Sequence, residues 1–275
     1  MPGVRARSVL SIGRMISIIP PEMSGDVVNK IILLADDNDW EVRRSVAEAL
    51  GKLKDIIPGG MEISVIKKII ELTDDGEWMV KEKAVYSIGL ISDIIPEDMP
   101  GKIIGILLKL TEDSEVNVKV ASVNTLGGIE ERIPEDEYNV VIEKMIEISF
   151  DTDWSVRRIC ALSIGKLAKI PESLRQYAIK RLIDLSGDTD WSVRDASARS
   201  LGDMGTVIPR SMAEDVINNL LKLNEDFDPA VRDSSVRSII RLKGIIPKNL
   251  RETVDGVLKS YKQKKAETNI RLVAN

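Results

Sequence analysis

Residues 36–53, D-D-N-D-W-E-V-R-R-S-V-A-E-A-L-G-K-L, decide the fold, because the rest of the chain repeats them. Val42 of this stretch has counterparts at Val4, Val80, Val118, Val156, Val193 and Val231, spaced by 38, 38, 38, 38, 37 and 38 residues. A fixed period of that length marks a solenoid of helix pairs, in which each repeat buries its apolar face only against its neighbours. Val42, Val46, Ala49, Leu50 and Leu53 share one side of a helix, termed helix B. The preceding aspartates supply N-caps and favourable charge at its start.

Working outward, each helix B is followed by an Ile-Pro pair: Ile19-Pro20, Ile57-Pro58, Ile95-Pro96, Ile133-Pro134, Ile170-Pro171, Ile208-Pro209 and Ile246-Pro247. Proline suits a first helical turn and turns its predecessor away from helix, so each pair closes one helix and opens the next. Helix A follows, with apolar residues such as Val27, Val28, Ile31, Ile32 and Leu34 on one broad face. The single missing residue lies between Gly165 and Pro171, in a loop, where a deletion costs least. The count is a half-repeat, six full repeats and a closing helix A at about 248–261. The array therefore covers 1–261, and 262–275 lose the period and are expected to form a mobile tail. Asp255 and Lys259 polarise the closing helix as a cap requires. The first helix (Val9, Leu10, Ile12, Met15, Ile16) is apolar nearly all round. That end is expected to meet missing upstream sequence or another molecule, self-association included.

Composition narrows the function. Hydrophobic residues are 43% and charged residues 30%, so a core is available and wholesale disorder is disfavoured. A net charge of −5 disfavours general nucleic-acid binding while leaving room for a local basic patch. The one cysteine, Cys160, precludes a disulfide within the chain and points to a reducing cytoplasm. No apolar run approaches the ~20 residues of a membrane span, and the N-terminus has no signal-peptide core. Histidine is absent, which with a single cysteine nearly excludes zinc sites and Cys-His or Ser-His-Asp catalysis. The expectation is a protein that is not an enzyme and carries no cofactor. Scarce Gln and Cys, abundant Ile and many charges hint at a thermophilic or archaeal source.

The pairs Asp37/Arg43, Asp75/Lys81, Asp113/Lys119, Asp151/Arg157, Asp188/Arg194 and Asp226/Arg232 all keep one spacing, an Asp in the loop and a cation six residues later. With that pattern, residues 4–261 resemble HEAT repeats. The D-x-x-W-x-V-R form is similar to PBS-lyase-type HEAT proteins and to the protein phosphatase 2A scaffold subunit. The resemblance implies an all-α, right-handed superhelix, with A helices outside and B helices inside, serving as a scaffold or adaptor. One departure is the proline, which stands before helix A rather than within it.

Candidate residues follow from the register. Stacking would set each ladder cation between its own aspartate and a neighbour's, a structural role. Gly13, Gly51, Gly89, Gly127, Gly165 and Gly202 recur nine residues after the valine, at a cost of about 1 kcal/mol each against Ala. Repetition at that cost implies close approach of a neighbouring backbone, and Ile240 breaks the rule in the last repeat. Trp40, Trp78, Trp154 and Trp191 open four B helices. They read either as a ridge of partner anchors, a use the resemblance also implies for such turns, or as rings packed over the preceding loops. The outward face of the B helices carries Arg44, Glu48, Tyr86, Leu90, Val120, Asn124, Arg158, Leu162, Lys166, Arg199 and Arg237. If B helices line a concave wall, this is a groove floor with an apolar middle (Tyr86, Leu90, Val120, Leu162), unless curvature buries those residues. The acidic loops lack the twelve-residue ligand order of a calcium site, so no metal is expected.

Three functions are compatible with such an array: a protein-binding scaffold, a HEAT-type lyase-like protein, and a nucleic-acid-binding accessory protein. The scaffold reading leads. A histidine-dependent HEAT hydroxylase is out, and interleaved Asp195, Asp203 and Asp233 argue against a nucleic-acid patch of Arg158, Lys166, Arg199, Arg237 and Arg241.

Overall fold

A computed structural model describes residues 1–167 and 169–273, with backbone alone over 265–273. The described residues form fourteen α-helices and no strand. Contacts divide the chain into two compact units, Met1–Val141 and Ile142–Asn275. The first holds α1 (Pro2–Arg14), α2 (Pro21–Leu33), α3 (Trp40–Lys52), α4 (Glu62–Leu72), α5 (Trp78–Leu90), α6 (Pro100–Leu110), α7 (Val116–Gly128) and the start of α8 (Tyr138–Ile148). The second holds the rest of α8, then α9 (Trp154–Lys166), α10 (Glu172–Leu185), α11 (Trp191–Met204), α12 (Ala213–Leu223), α13 (Pro229–Arg241) and α14 (Arg251–Val273). Even-numbered helices are A helices and odd-numbered ones B helices.

The Ile-Pro pairs work by backbone restriction and burial together. Ile95, Ile133, Ile170 and Ile208 are buried. Ile95, Ile133 and Ile208 have extended backbones, the conformation that a following proline favours. A short 3-10 turn precedes most of these pairs, for example Ser92–Ile94 and Gly205–Val207. Where the sequence is one residue short, Leu167 leaves α9 directly in an extended conformation (φ −71°, ψ 106°). The deletion is thus absorbed between helices.

Each unit packs most extensively from B helix to B helix: α1, α3, α5 and α7 in the first, α9, α11 and α13 in the second. The period valines Val42, Val80, Val118, Val156, Val193 and Val231 are fully buried there. Val4, which opens the series, is 57% exposed, and no B helix precedes it among the described residues. The glycines explain the closeness. A Cβ on Gly51 would stand 2.9 Å from Cα of Ser87, one on Gly165 2.7 Å from Cα of Ser200, and one on Gly202 2.8 Å from Cα of Ser238. Gly89 differs, since its nearest neighbour would be the Thr125 side chain at 3.6 Å, an ordinary contact. The Ser87 hydroxyl donates to the Ala47 carbonyl (2.7 Å), tying α5 to α3. Between A and B helices, Ser122 donates to Leu107 (2.6 Å) and Ser235 to Leu220 (2.5 Å).

The two ends differ. On α1 and the turn after it, Val4, Met15 and Ile18 are exposed. On α14, Val254 is buried while Asp255 and Lys259 face solvent. The backbone stays helical beyond 261, through most of the stretch expected as a tail. Residues 262–267, K-Q-K-K-A-E, are strong helix formers without Gly or Pro, so the helix continues where the repeat stops. Residues 274 and 275 lie outside the described residues.

Candidate functional site

The turns between A and B helices are built by their acidic residues. The ladder Asp of each turn accepts a hydrogen bond from the amide two residues on: Asp37 from Asp39 (3.0 Å), Asp188 from Asp190 (2.9 Å), Asp226 from Asp228 (2.8 Å). Asp75, Asp113 and Asp151 do the same. In four turns the next Asp caps helix B, as when Asp39 accepts from the Glu41 amide (2.9 Å) and Asp228 from that of Ala230 (2.8 Å), while Glu77 and Glu115 make no side-chain cap. Short carboxylate side chains are suited to this local work.

The ladder cations then join one turn to the next. Arg43 donates through Nε and Nη2 to the carboxylate of Asp75 (2.6 and 3.0 Å) and through Nη1 to the carbonyls of Asp37 and Asn38 (2.8 and 3.2 Å). Arg157 repeats this with Asp188, and Arg194 with Asp226, the latter at 2.7 and 2.8 Å. Lys81 reaches Asp113 at 2.8 Å. The cation therefore meets its own aspartate at the backbone carbonyl and the next one at the carboxylate. Lys119 is half-buried on α7. Arg232 donates to the carbonyls of Asp226 and Phe227. Sequence reasoning omitted Arg5, which binds Asp37 at 2.7 and 2.8 Å, although it follows Val4 as Arg43 follows Val42.

Both partners stay charged. Hydrogen bonds from Arg5 and Arg194 hold Asp37 and Asp226 below the usual carboxylate range. At Asp75, Asp113 and Asp188 burial pushes upward, but the cation and the turn amide outweigh it and the net shift is down. The same hydrogen bonds raise Arg43, Arg157 and Arg194. A second staple comes from the A helices. Arg181 donates to the Ser149 carbonyl (2.8 Å) and hydroxyl (2.6 Å) with its guanidinium 3.5 Å over the Phe150 ring. Asn219 donates to Ser186 (2.7 Å), and Lys68 to Asp36 (3.3 Å).

The side chains held on these turns differ in exposure. Trp40 and Trp78 are half-buried. Trp154 and Trp191 are 48% and 49% exposed, Phe150 62%, and Phe227 wholly exposed. Phe150 and Phe227 were missed from sequence. The signal that could have found them was that the chain has two phenylalanines and both fall in these acidic turns.

On the outward face of the B helices in the first unit, Arg44, Glu48, Tyr86, Val120 and Asn124 are half-buried and Leu90 is 49% exposed. Glu48 pairs with Lys52 (2.5 Å), and Lys83 stands 5.3 Å from the centre of the Tyr86 ring. In the second unit Arg158 and Leu162 are half-buried, and Lys166, Arg199 and Arg237 exposed. On this face of the second unit Arg199 pairs with Asp195 (3.0 Å), Arg237 with Asp233 (2.6 Å) and Arg241 with Asp203 (2.5 Å). The Cys160 thiol is buried, which pushes its pKa up and makes it a poor nucleophile. Among the described residues no cluster of three or more His, Cys, Asp or Glu could hold a metal ion, and no helix is long and apolar enough to cross a membrane.

Comparison with known proteins agrees with this geometry. A model of HEAT repeats matches residues 142–240, and a model of the single HEAT repeat matches 27–57. No curated protein sequence matches the chain. Among solved structures, an engineered protein aligns with a TM-score of 0.60 at 18% identity, over 92% of this chain and 66% of its own. A designed armadillo repeat protein in complex with the peptide (KR)4 aligns with a TM-score of 0.59 at 15% identity, over 78% of this chain and 99% of its own. A second engineered protein aligns with a TM-score of 0.57 at 19% identity, over 80% and 97%. Likeness at these identities concerns the fold alone.

Proposed function

The chain belongs to the HEAT-repeat family, and from that premise we propose that it is a non-catalytic scaffold or adaptor of a reducing cytoplasm. It holds a protein partner on the outward faces of its B helices and on its turn ridge. The observation that carries this reading is the exposure of Trp154, Trp191 and Phe227 on turns that hydrogen bonds hold rigid. Large aromatics set in water on a fixed frame are the side chains that dominate protein interfaces. Leu90 and Tyr86 add an apolar element on the B-helix face of the first unit. Nucleic-acid binding has weaker support, because Arg199, Arg237 and Arg241 are matched by carboxylates.

The test is capture of partners by the full chain, identified by mass spectrometry, and repeated with two sets of variants. Trp191→Ala with Phe227→Ala removes the ridge anchors. Tyr86→Ala and Leu162→Glu each alter one B-helix face. A partner lost in either set, at unchanged helical circular dichroism, supports the corresponding surface. Partners retained in all variants sink the assignment.

A further inference from the structure

The turns that precede α11 and α13 enclose a shallow cleft of about 370 Å³, with Thr189, Asp190, Trp191, Arg194, Phe227 and Asp228 around it. Two of these residues are aromatic and four are polar or charged. Trp191 is 49% exposed and Phe227 wholly so, an arrangement that folding alone does not reward.

The charges beside those rings choose the occupant. Asp190 and Asp228 each use one carboxylate oxygen, Oδ1, to cap a helix, at 2.8 Å from the amides of Ser192 and Ala230. Their Oδ2 oxygens have no hydrogen bond among the described residues. Each helix N-terminus contributes about half a positive charge, less than the full negative charge of its capping aspartate. Arg194 acts on Asp228 through space, as Arg157 does on Asp190, but the Arg194 nitrogens donate to Asp226 and to the Asp188 and Thr189 carbonyls and to neither free oxygen. The turns themselves, S-G-D-T-D at 186–190 and N-E-D-F-D at 224–228, contain no Lys or Arg.

On the preceding turn a ring in a different register, Phe150, is covered by a cation of the chain itself. Arg181 lies over Phe150 at 3.5 Å. The corresponding residue of the next repeat is Asn219, which is neutral and bonded to Ser186. The cleft beside Trp191 and Phe227 thus has the aromatic faces and the carboxylates, and the one cation that lines it, Arg194, is committed to Asp226 and to the carbonyls of its own turn.

We propose that this cleft takes an arginine or lysine side chain from an extended basic segment of a protein partner. The cation stacks on Trp191 and Phe227 and pairs with Asp190 and Asp228. The proposal rests on the docking role of the turn ridge and names the chemistry of what docks. An acidic or purely apolar segment would leave the two carboxylates facing like charge or an apolar surface.

The test is titration of the full chain with an arginine octapeptide and, separately, a glutamate octapeptide, followed by calorimetry. Emission is read in a variant that keeps Trp191 alone (Trp40→Phe, Trp78→Phe, Trp154→Phe). The arginine peptide should bind saturably, change Trp191 emission and weaken with added salt. Phe227→Ala should lower its affinity about tenfold. Asp190→Asn with Asp228→Asn, which keeps the caps because Asn caps as well as Asp, should weaken it as much. Phe227 is wholly exposed, so its removal leaves the fold in place, as a thermal melt would verify. Unchanged affinity in Phe227→Ala, meaning attraction to an acidic chain in general, overturns the proposal, as does equal binding of the glutamate peptide. If the arginine peptide does not bind while Trp191→Ala with Phe227→Ala still loses the captured partner, the cation site falls and the docking ridge stands. If neither effect is seen, both fall.

Discussion

The turns of the first unit and those of the second share a frame and differ in what it displays. Arg43 grips Asp75 in one and Arg194 grips Asp226 in the other, with the carboxylates 8% and 9% exposed. Yet Trp40 and Trp78 are half-buried on the first set, while Trp154, Trp191 and Phe227 stand in water on the second. Residues that join one repeat to the next cannot vary without loosening the stack. Residues one to three positions away are free of that constraint, and there the two units diverge.

Breaking the shared frame should have the largest effect. Arg194→Ala leaves the nearly buried Asp226 carboxylate without its partner and should cost about 3 kcal/mol in denaturant unfolding. A loss below about 1 kcal/mol would mean that the ladder behaves as a set of surface ion pairs. Next come the glycines. Gly202→Ala forces a Cβ to 2.8 Å from Cα of Ser238 and should destabilise by about 2 kcal/mol. Gly89→Ala meets only ordinary contact and should stabilise by up to about 1 kcal/mol, so the two melting temperatures should move in opposite directions.

Acid sharpens the comparison further. The folded ladder carboxylates titrate below their unfolded range, which lies near pH 3.9. Their contribution is whole above about pH 4 and is lost as pH falls through the lower folded values. Melting temperature should therefore be nearly level from pH 7 to 5 and drop below about pH 4. Asp226→Asn should flatten that drop. The smallest effect on stability belongs to the display residues: Phe227→Ala should shift unfolding by less than about 0.5 kcal/mol. If it shifts more, the ring packs rather than projects and the contrast between the units weakens.

Much of this was legible in one dimension. The period valines, the Ile-Pro pairs and the Asp-to-cation spacing placed every helix of the array, because helical burial and turn chemistry depend on nearby residues. Gly51 and Gly202 were readable as points of close approach for the same reason, since a helix former would otherwise occupy them. Less was legible where the partner lies a full repeat away. Gly89 sits in the same register as Gly51 but faces the side chain of Thr125, so the repeat alone misjudges it. Phe150 and Phe227 fall outside the period, and a search by period passes over them.

The amino-acid sequence by itself determined the helix pairs, their register and the residues that join them, since each follows from spacing within about one repeat. The tertiary structure decided which oxygen each arginine takes and which rings are left in water. Those outcomes depend on how close a neighbour 31 to 40 residues away comes to rest, and backbone packing, which no local pattern encodes, sets that distance.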